Sequence, residues 1–377
     1  RNTYVPREKL LEVLHSKITS LPESKKKILF INGMGGVGKS ELARAYAYEY
    51  ADYYSQIIYL SCRDNDTSDL EVLLKQFDHS LSIDSLKDCK STTLLIVDNF
   101  NNDNDVSFYR QLLEQTGQAT LLCTTRITRS NTYGNTKFFT IDPKEDNSED
   151  FLFAQKVFEA NYLLDSNKEI TPEDEQYSKL IIKKSGLNTI AIVIIASCLR
   201  ESGIPVVDFY KQISGNKHVL TQISEAQEIA LRKYYEQNEG TVVELLMGLF
   251  DKFMSTNEKL TVVREIFTLL EIQPGISLDI QFVETLLSGG DITKATNVKA
   301  AIRNLAKYNW IQSDGTCISL HPLIADIILF SSEQKLLGEE ERTEFYSRVL
   351  MNWLSMPEFI NKNIYFMNKV YSEHHQE

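Results

Sequence analysis

What is scarce in this sequence narrows it first. Of 377 residues only five are cysteine (Cys62, Cys89, Cys123, Cys198 and Cys317), far apart and with no C-x-x-C pair. That excludes a disulfide framework and a thiolate metal site. An odd, scattered set suits free thiols in a reducing compartment, so a cytoplasmic location is expected. The six histidines show no metal-ligand spacing, and His374-His375 reads as tail. No apolar run approaches the roughly 20 residues that cross a bilayer. The longest, 190–199, is flanked by helix-like sequence, and no membrane partner is expected. No secretory leader opens the chain. It starts at Arg1 rather than Met, so further residues are expected before it. Positive charge is also short: 40 Lys and Arg against 52 Asp and Glu leave a net charge of −12. A protein that coats nucleic acid needs a basic footprint. The balance therefore argues against a nucleic-acid partner, although it leaves room for a local basic patch.

What is present is ordinary in bulk and specific in detail. At 42% hydrophobic and 24% charged, the chain has a globular composition, and its length allows about two to four modules. Gly33-Met34-Gly35-Gly36-Val37-Gly38-Lys39-Ser40 fits G-x-x-x-x-G-K-[ST], the phosphate-binding P-loop. Glycine-rich backbone can curl around a phosphate and aim several N–H groups at it. Lys39 would reach the β- and γ-phosphates, and the Ser40 hydroxyl would sit on Mg²⁺. The flanks supply the context the motif needs: an apolar strand before it and a helix opening at Glu41 after it.

From residue 27 to about 141, short apolar strands (28–31, 57–60, 94–97, 120–124 and 137–141) alternate with helical stretches. This pattern predicts a parallel sheet with right-handed crossovers, preceded by an amphipathic helix with Leu10, Leu11, Leu14 and Ile18 on one face. The strand 92–98 ends in Asp98, a Walker B pattern whose acid can hold Mg²⁺ opposite Ser40. Asn99 follows, and an amide cannot accept a proton from an attacking water, so slow hydrolysis is expected. Leu121-Leu122-Cys123-Thr124-Thr125-Arg126 places an arginine at a strand tip, where its planar fork can read a γ-phosphate; the alternative is a solvated surface arginine. After Pro143 the pattern turns helical, punctuated by Pro172 and by 203–205. Farther on, helices at 280–287 and about 295–308 precede a strand–turn–strand at 310–320, which is the winged-helix order.

Taken together these motifs resemble the NB-ARC branch of the STAND signalling ATPases. Tyr4-Val5-Pro6-Arg7-Glu8 is similar to the family's F-V-G-R-E opening, with Pro6 in place of glycine. Thr124-Thr125-Arg126 resembles its T-T-R sensor. Ser185-Gly186-Leu187-Asn188-Thr189-Ile190-Ala191 resembles G-L-P-L-A, with Thr189 where the family has proline. Leu320-His321-Pro322-Leu323 resembles the winged-helix histidine motif. The resemblance spans roughly residues 3–330.

It implies an α/β P-loop domain with a five-stranded parallel sheet at 1–143, a helical domain at 144–231, a winged helix at 232–332 and the start of a further helical region at 333–377. It also implies a site. Gly33, Gly35, Gly36, Val37, Gly38, Lys39, Ser40 and Glu41 would hold phosphates, and Ser40 and Asp98 would serve Mg²⁺. Lys39, Asp98 and Arg126 would carry the hydrolytic chemistry. Val5, Arg7, Thr189 and Ile190 would flank adenine, and His321 would touch the β-phosphate; outside this module order, a lone histidine is more often a satisfied core residue.

The implied function is a switch between an ADP-bound closed state and an ATP-bound, self-associating state. Its setting would be immune or antiphage defence, with the effector and the trigger-sensing region outside this segment. The alternatives are an ATP-dependent transcription regulator that binds DNA through the winged helix, with Lys294, Lys299, Arg303 and Lys307 along its helix, and a metabolic P-loop ATPase or kinase.

Overall fold

A computed structural model describes residues 3–22, 26–62, 70–78, 80–100, 106–126, 137–164, 169–215, 240–255, 260–272, 276–330, 336–356, 359 and 364–374. The module boundaries expected near 231 and 332, the helical stretch 216–231 and His375 lie outside these residues. The chain divides into two compact units, Val5–Phe153 and Ala154–Glu377 with Arg1–Tyr4.

The first unit is built on five parallel strands: β1 (Ile28–Gly33), β2 (Gln56–Ser61), β3 (Thr93–Asp98), β4 (Thr120–Thr125) and β5 (Lys137–Ile141), in the order β2-β3-β4-β1-β5. These are the strands the sequence predicts, the first four extended by a residue or two and β5 with the same bounds. The inner strands β3 and β4 are buried along their whole length, which is why they read as continuous apolar runs. Side chains alternate between two faces. On one face, Leu29, Ile31, Leu94, Ile96 and Leu122 meet α1 (Glu8–Thr19) and α2 (Lys39–Glu49) through Leu11, Leu14, Ile18, Leu42, Ala43 and Tyr46. On the other, Phe30, Ile58, Leu60, Leu95, Val97, Leu121 and Cys123 meet α3 (Leu70–Phe77), α4 (Ile83–Lys87) and α5 (Val106–Gln115). Helix α6 (Ser148–Tyr162) begins in this unit, where Glu149 pairs with Lys9 and Phe153 lies under the Arg7 guanidinium.

The second unit is mainly helical. Here α7 (Pro172–Lys184) starts with Pro172 at its first position behind the capping Thr171, and α8 (Thr189–Ser202) ends at Gly203, whose φ of 65° suits glycine. Then come α9 (Val206–Gly215), α10 (Gly240–Ser255) and α11 (Leu260–Glu271). A compact module follows: β6 (Leu278–Asp279), α12 (Ile280–Ser288), α13 (Ile292–Lys307), β7 (Gln312–Ser313) and β8 (Cys317–Ser319), with the strands antiparallel in the order β6-β8-β7. Asp279 and Asp291 cap the two helices, and Asp314 accepts the Thr316 and Cys317 N–H groups to close the hairpin turn at Gly315. Trp310 and Ile311 are buried rather than part of the strand, and Trp310 packs edge-on against Phe250. The chain continues with α14 (Pro322–Phe330), α15 (Glu339–Leu354) and α16 (Ile364–His374).

Candidate nucleotide site

The period of two along the strands brings the polar residues of the first unit together. Asp98 lies two and four residues past Ile96 and Leu94, Thr124 two past Leu122, and Tyr59 two past Ile57. All three therefore share the α1/α2 face at the C-terminal end of the sheet. β4 lies between β1 and β3, so Thr124 stands between the P-loop strand and Asp98.

The P-loop joins β1 to α2. Gly33, Gly36 and Gly38 have φ of 147°, 79° and 96°, a path that side chains with a Cβ rarely follow. At Gly33 space adds to this, since a Cβ would stand 2.3 Å from the Ile141 carbonyl oxygen. Gly38 caps α2, whose first turn carries Lys39, Ser40 and Glu41. The unsatisfied N–H groups of such a helix start, reached through a glycine turn, form an anion cradle. Lys39 Nζ donates to the carbonyls of Gly33 and Met34, each at 2.8 Å. Gly35 and Val37 are buried within the loop. Glu41 is exposed and pairs with Arg44 at 3.4 Å.

Asp98 is the centre of the polar cluster. It is 5% exposed. Its Oδ1 accepts from Ser40 Oγ at 2.7 Å and from Thr124 Oγ1, while its Oδ2 accepts from Tyr59 OH at 2.5 Å. Arg44 Nη2 stands 3.8 Å from Oδ2, with its guanidinium over the Tyr59 ring. Burial, then the charge of Asp98, pushes the Tyr59 phenol well above its usual range, so it stays a donor. Burial opposes the charge of Arg44, but Tyr59, Asp98 and Glu41 outweigh it and raise its pKa. Thr124 Oγ1 also accepts from the Asn99 N–H at 2.8 Å, and Asn99 has a φ of 64°.

The fold is that of an α/β P-loop NTPase. The loop glycines, the lysine and serine on α2 and the acid at the tip of β3 stand together at the strand ends where open α/β sheets take ligands. The donor set at Ser40 and Asp98 is all oxygen, which fits a hard cation such as Mg²⁺. Among the described residues no cluster of three His, Cys, Asp or Glu could hold a metal by itself.

The other expected site residues are placed as follows. Arg7 Nη1 donates to the Val37 carbonyl at 3.3 Å, so the opening segment is tied to the P-loop; burial lowers the guanidinium pKa against the pull of Asp150. Val5 is half-buried in the same segment, and Arg126 is half-buried one residue beyond β4. Thr189, Ile190 and His321 belong to the second unit. Thr189 is the first residue of α8, behind Asn188, whose side chain accepts from the Ala191 N–H. His321 caps α14: its Nδ1 accepts from the Leu323 N–H at 3.1 Å, which puts the ring proton of the neutral form on Nε2. Tyr59 and Arg44 were not foreseen. Tyr59 reads in sequence as one more strand residue, and only the register of β2 against β3 brings its hydroxyl to Asp98.

No protein-family model matches the chain, and no curated protein sequence matches it. Among solved structures it is similar to a Walker-type ATPase of Pyrococcus abyssi, with 14% identity over 87% of this chain and 97% of that one and a TM-score of 0.37. It is similar to the Aeropyrum pernix ORC2 protein in ADPNP–ADP complexes, with 12% identity over 88% and 98% and a TM-score of 0.39. A third is the replication initiator DnaA bound to AMPPCP and single-stranded DNA, with 16% identity over 78% and 86% and a TM-score of 0.38.

One expectation is corrected here: the net charge of −12 does not argue against a nucleic-acid partner. The physical reason is that net charge sums the whole chain, whereas binding depends on a local face. Lys294, Lys299, Arg303 and Lys307 are all exposed on α13. Among the described residues no helix is long and apolar enough to cross a membrane.

Proposed function

We propose that this chain is the nucleotide-switch core of a STAND signalling ATPase of the NB-ARC type. The observation that carries the reading is the Lys39–Ser40–Asp98–Thr124 constellation around the glycine loop, in a chain that also holds the helix–helix–hairpin module ending in His321. Phosphates would lie on the loop N–H groups, and Lys39 would turn to them from the Gly33 and Met34 carbonyls. Mg²⁺ would be held by Ser40 Oγ and, through water, by Asp98; it supplies charge neutralisation at the phosphates. Arg126 would read the γ-phosphate. Val5, Arg7, Thr189 and Ile190 would flank the adenine, and His321 Nε2 would donate to the β-phosphate of ADP.

In this reading the modules are 1–143, 144–231, 232–332 and 333–377. ADP closes them on one another, and ATP favours an open, self-associating form. Such a shift needs one nucleotide to bind the two forms unequally. Asn99, an amide behind the Mg²⁺ acid, makes hydrolysis slow, a timer rather than the output. The setting is cytoplasmic immune or antiphage signalling, with effector and trigger recognition carried outside this segment.

The test is to purify the protein without added nucleotide, denature it and identify what is released. Stoichiometric ADP is expected. An empty site that binds ATP loosely and turns it over rapidly would favour a metabolic ATPase instead. A second reading follows from the exposed basic face of α13, a DNA-binding regulator. Two of its four cations are offset, since Lys299 lies 3.7 Å from Glu284 and Lys307 lies 3.9 Å from Glu201. Strongly salt-dependent binding of duplex DNA by the protein would favour that reading.

A further inference from the structure

Asp98 has two oxygens and a different task for each. Its Oδ1 faces the two hydroxyls on the P-loop side, Ser40 and Thr124, and its Oδ2 faces Tyr59 and, farther away, Arg44. A metal held by Ser40 Oγ would take one lone pair of that oxygen, which leaves the Ser40 proton on Oδ1 and sets the carboxylate beside the metal's water shell. The Thr124 and Tyr59 bonds to the carboxylate would be kept as well. Among the described residues Tyr59 alone occupies Oδ2 at hydrogen-bond distance. A short O–H···O⁻ bond is among the stronger and more directional side-chain bonds.

We propose that Tyr59 is a positioning residue for the Mg²⁺ site: by holding Oδ2 it fixes the Asp98 carboxylate so that Oδ1 faces Ser40 and the cation. Packing alone would be met by phenylalanine. Tyr59 lies against the apolar α2 face of the sheet, among neighbours such as Ile57 and Ile96, and its only polar atom goes to this carboxylate. Without it, Oδ2 loses its anchor and the carboxylate is held through Oδ1 alone, by Ser40 and Thr124. Among the described residues the nearest remaining donor for Oδ2 is then the half-exposed Arg44, whose pull would turn the carboxylate away from Ser40.

The inference rests on the nucleotide-switch reading, so the experiment separates the two. A fluorescent ADP analogue is bound to the full chain in EDTA and then titrated with Mg²⁺, for wild type and Tyr59→Phe. Thermal unfolding is followed in EDTA without nucleotide. Tyr59→Phe is expected to bind the analogue in EDTA within about twofold of wild type and to need about tenfold more Mg²⁺ at its midpoint, the usual scale for outer-shell partners of a metal ligand. A Tyr59→Phe protein that melts lower yet keeps the wild-type Mg²⁺ midpoint gives the phenol a structural role only and overturns the inference. An unchanged melt with an unchanged midpoint overturns it equally. A wild-type protein that binds no analogue with or without Mg²⁺ sinks the nucleotide reading itself.

Discussion

At the scale of single residues, two histidines do work that their isolation in the sequence conceals. His321 is the cap of α14, so His321→Ala leaves the Leu323 N–H without its acceptor. The expected cost is about 1 kcal/mol of stability, seen as a lower thermal midpoint. If His321 also touches the β-phosphate, the same variant releases bound ADP faster by dialysis; an unchanged ADP content limits the residue to its cap. The signal was partly legible, because Leu320-His321-Pro322 puts a hydrogen-bond acceptor just before a proline at a helix start.

His15 lies on α1, stacked 3.9 Å from Tyr50 with its Nδ1 3.1 Å from the Tyr46 hydroxyl, which in turn meets Tyr54 at 2.9 Å. Burial lowers its pKa from 6.5. The unfolded chain therefore binds the extra proton first. The contribution of His15 is present above its unfolded value and is lost as pH falls through the lower folded one. Thermal melts of wild type and His15→Phe between pH 7.5 and 5 should converge at the acid end, because only the wild type loses this term.

At the scale of elements, one arginine joins the ends of two helices. Arg200, near the end of α8, donates to the Asn161 carbonyl in the last turn of α6 and, at 2.7 Å, to the Lys307 carbonyl that ends α13. Its Nε donates to Glu201 at 2.9 Å. Helix C-termini leave carbonyls unpaired and carry partial negative charge, so a guanidinium there serves both needs. Nearby, Asn309 Nδ2 donates to Ser197 Oγ at 2.6 Å, from a backbone φ of 58°. Arg200→Met should cost about 2 kcal/mol, the scale of charged hydrogen bonds, in chemical denaturation. A loss no larger than that of an exposed arginine would mean that water replaces it. Nothing in the sequence marks Arg200, whose two carbonyl partners, on Asn161 and Lys307, lie far away along the chain.

The strands were legible because β1, β3 and β4 are buried on both faces and so read as unbroken apolar runs between turn residues. The loop, Ser40 and Asp98 were legible because their chemistry fixes residue type and spacing. Tyr59 and Arg44 were not, since their place depends on strand register and helix phase rather than on a local pattern.

At the scale of the whole molecule, the proposed switch makes assembly depend on the bound nucleotide. Sedimentation with ATP and Mg²⁺ should show a larger species than with ADP, and Lys39→Ala should stay at the smaller size in both. Equal sizes with ATP and ADP would separate nucleotide binding from assembly.

The sheet order has one more outcome, for the protein's synthesis. Of the strands of this sheet β1 is the first to leave the ribosome, yet among the described residues its partners are β4 and β5, the last two strands of the sheet. The glycine loop at its tip cannot settle until residue 141 has emerged, because Gly33 packs against Ile141. Such non-local pairing is slow to form. A nascent chain therefore has no half-built loop with which to capture ATP, and the first nucleotide to bind meets a sheet that is already closed.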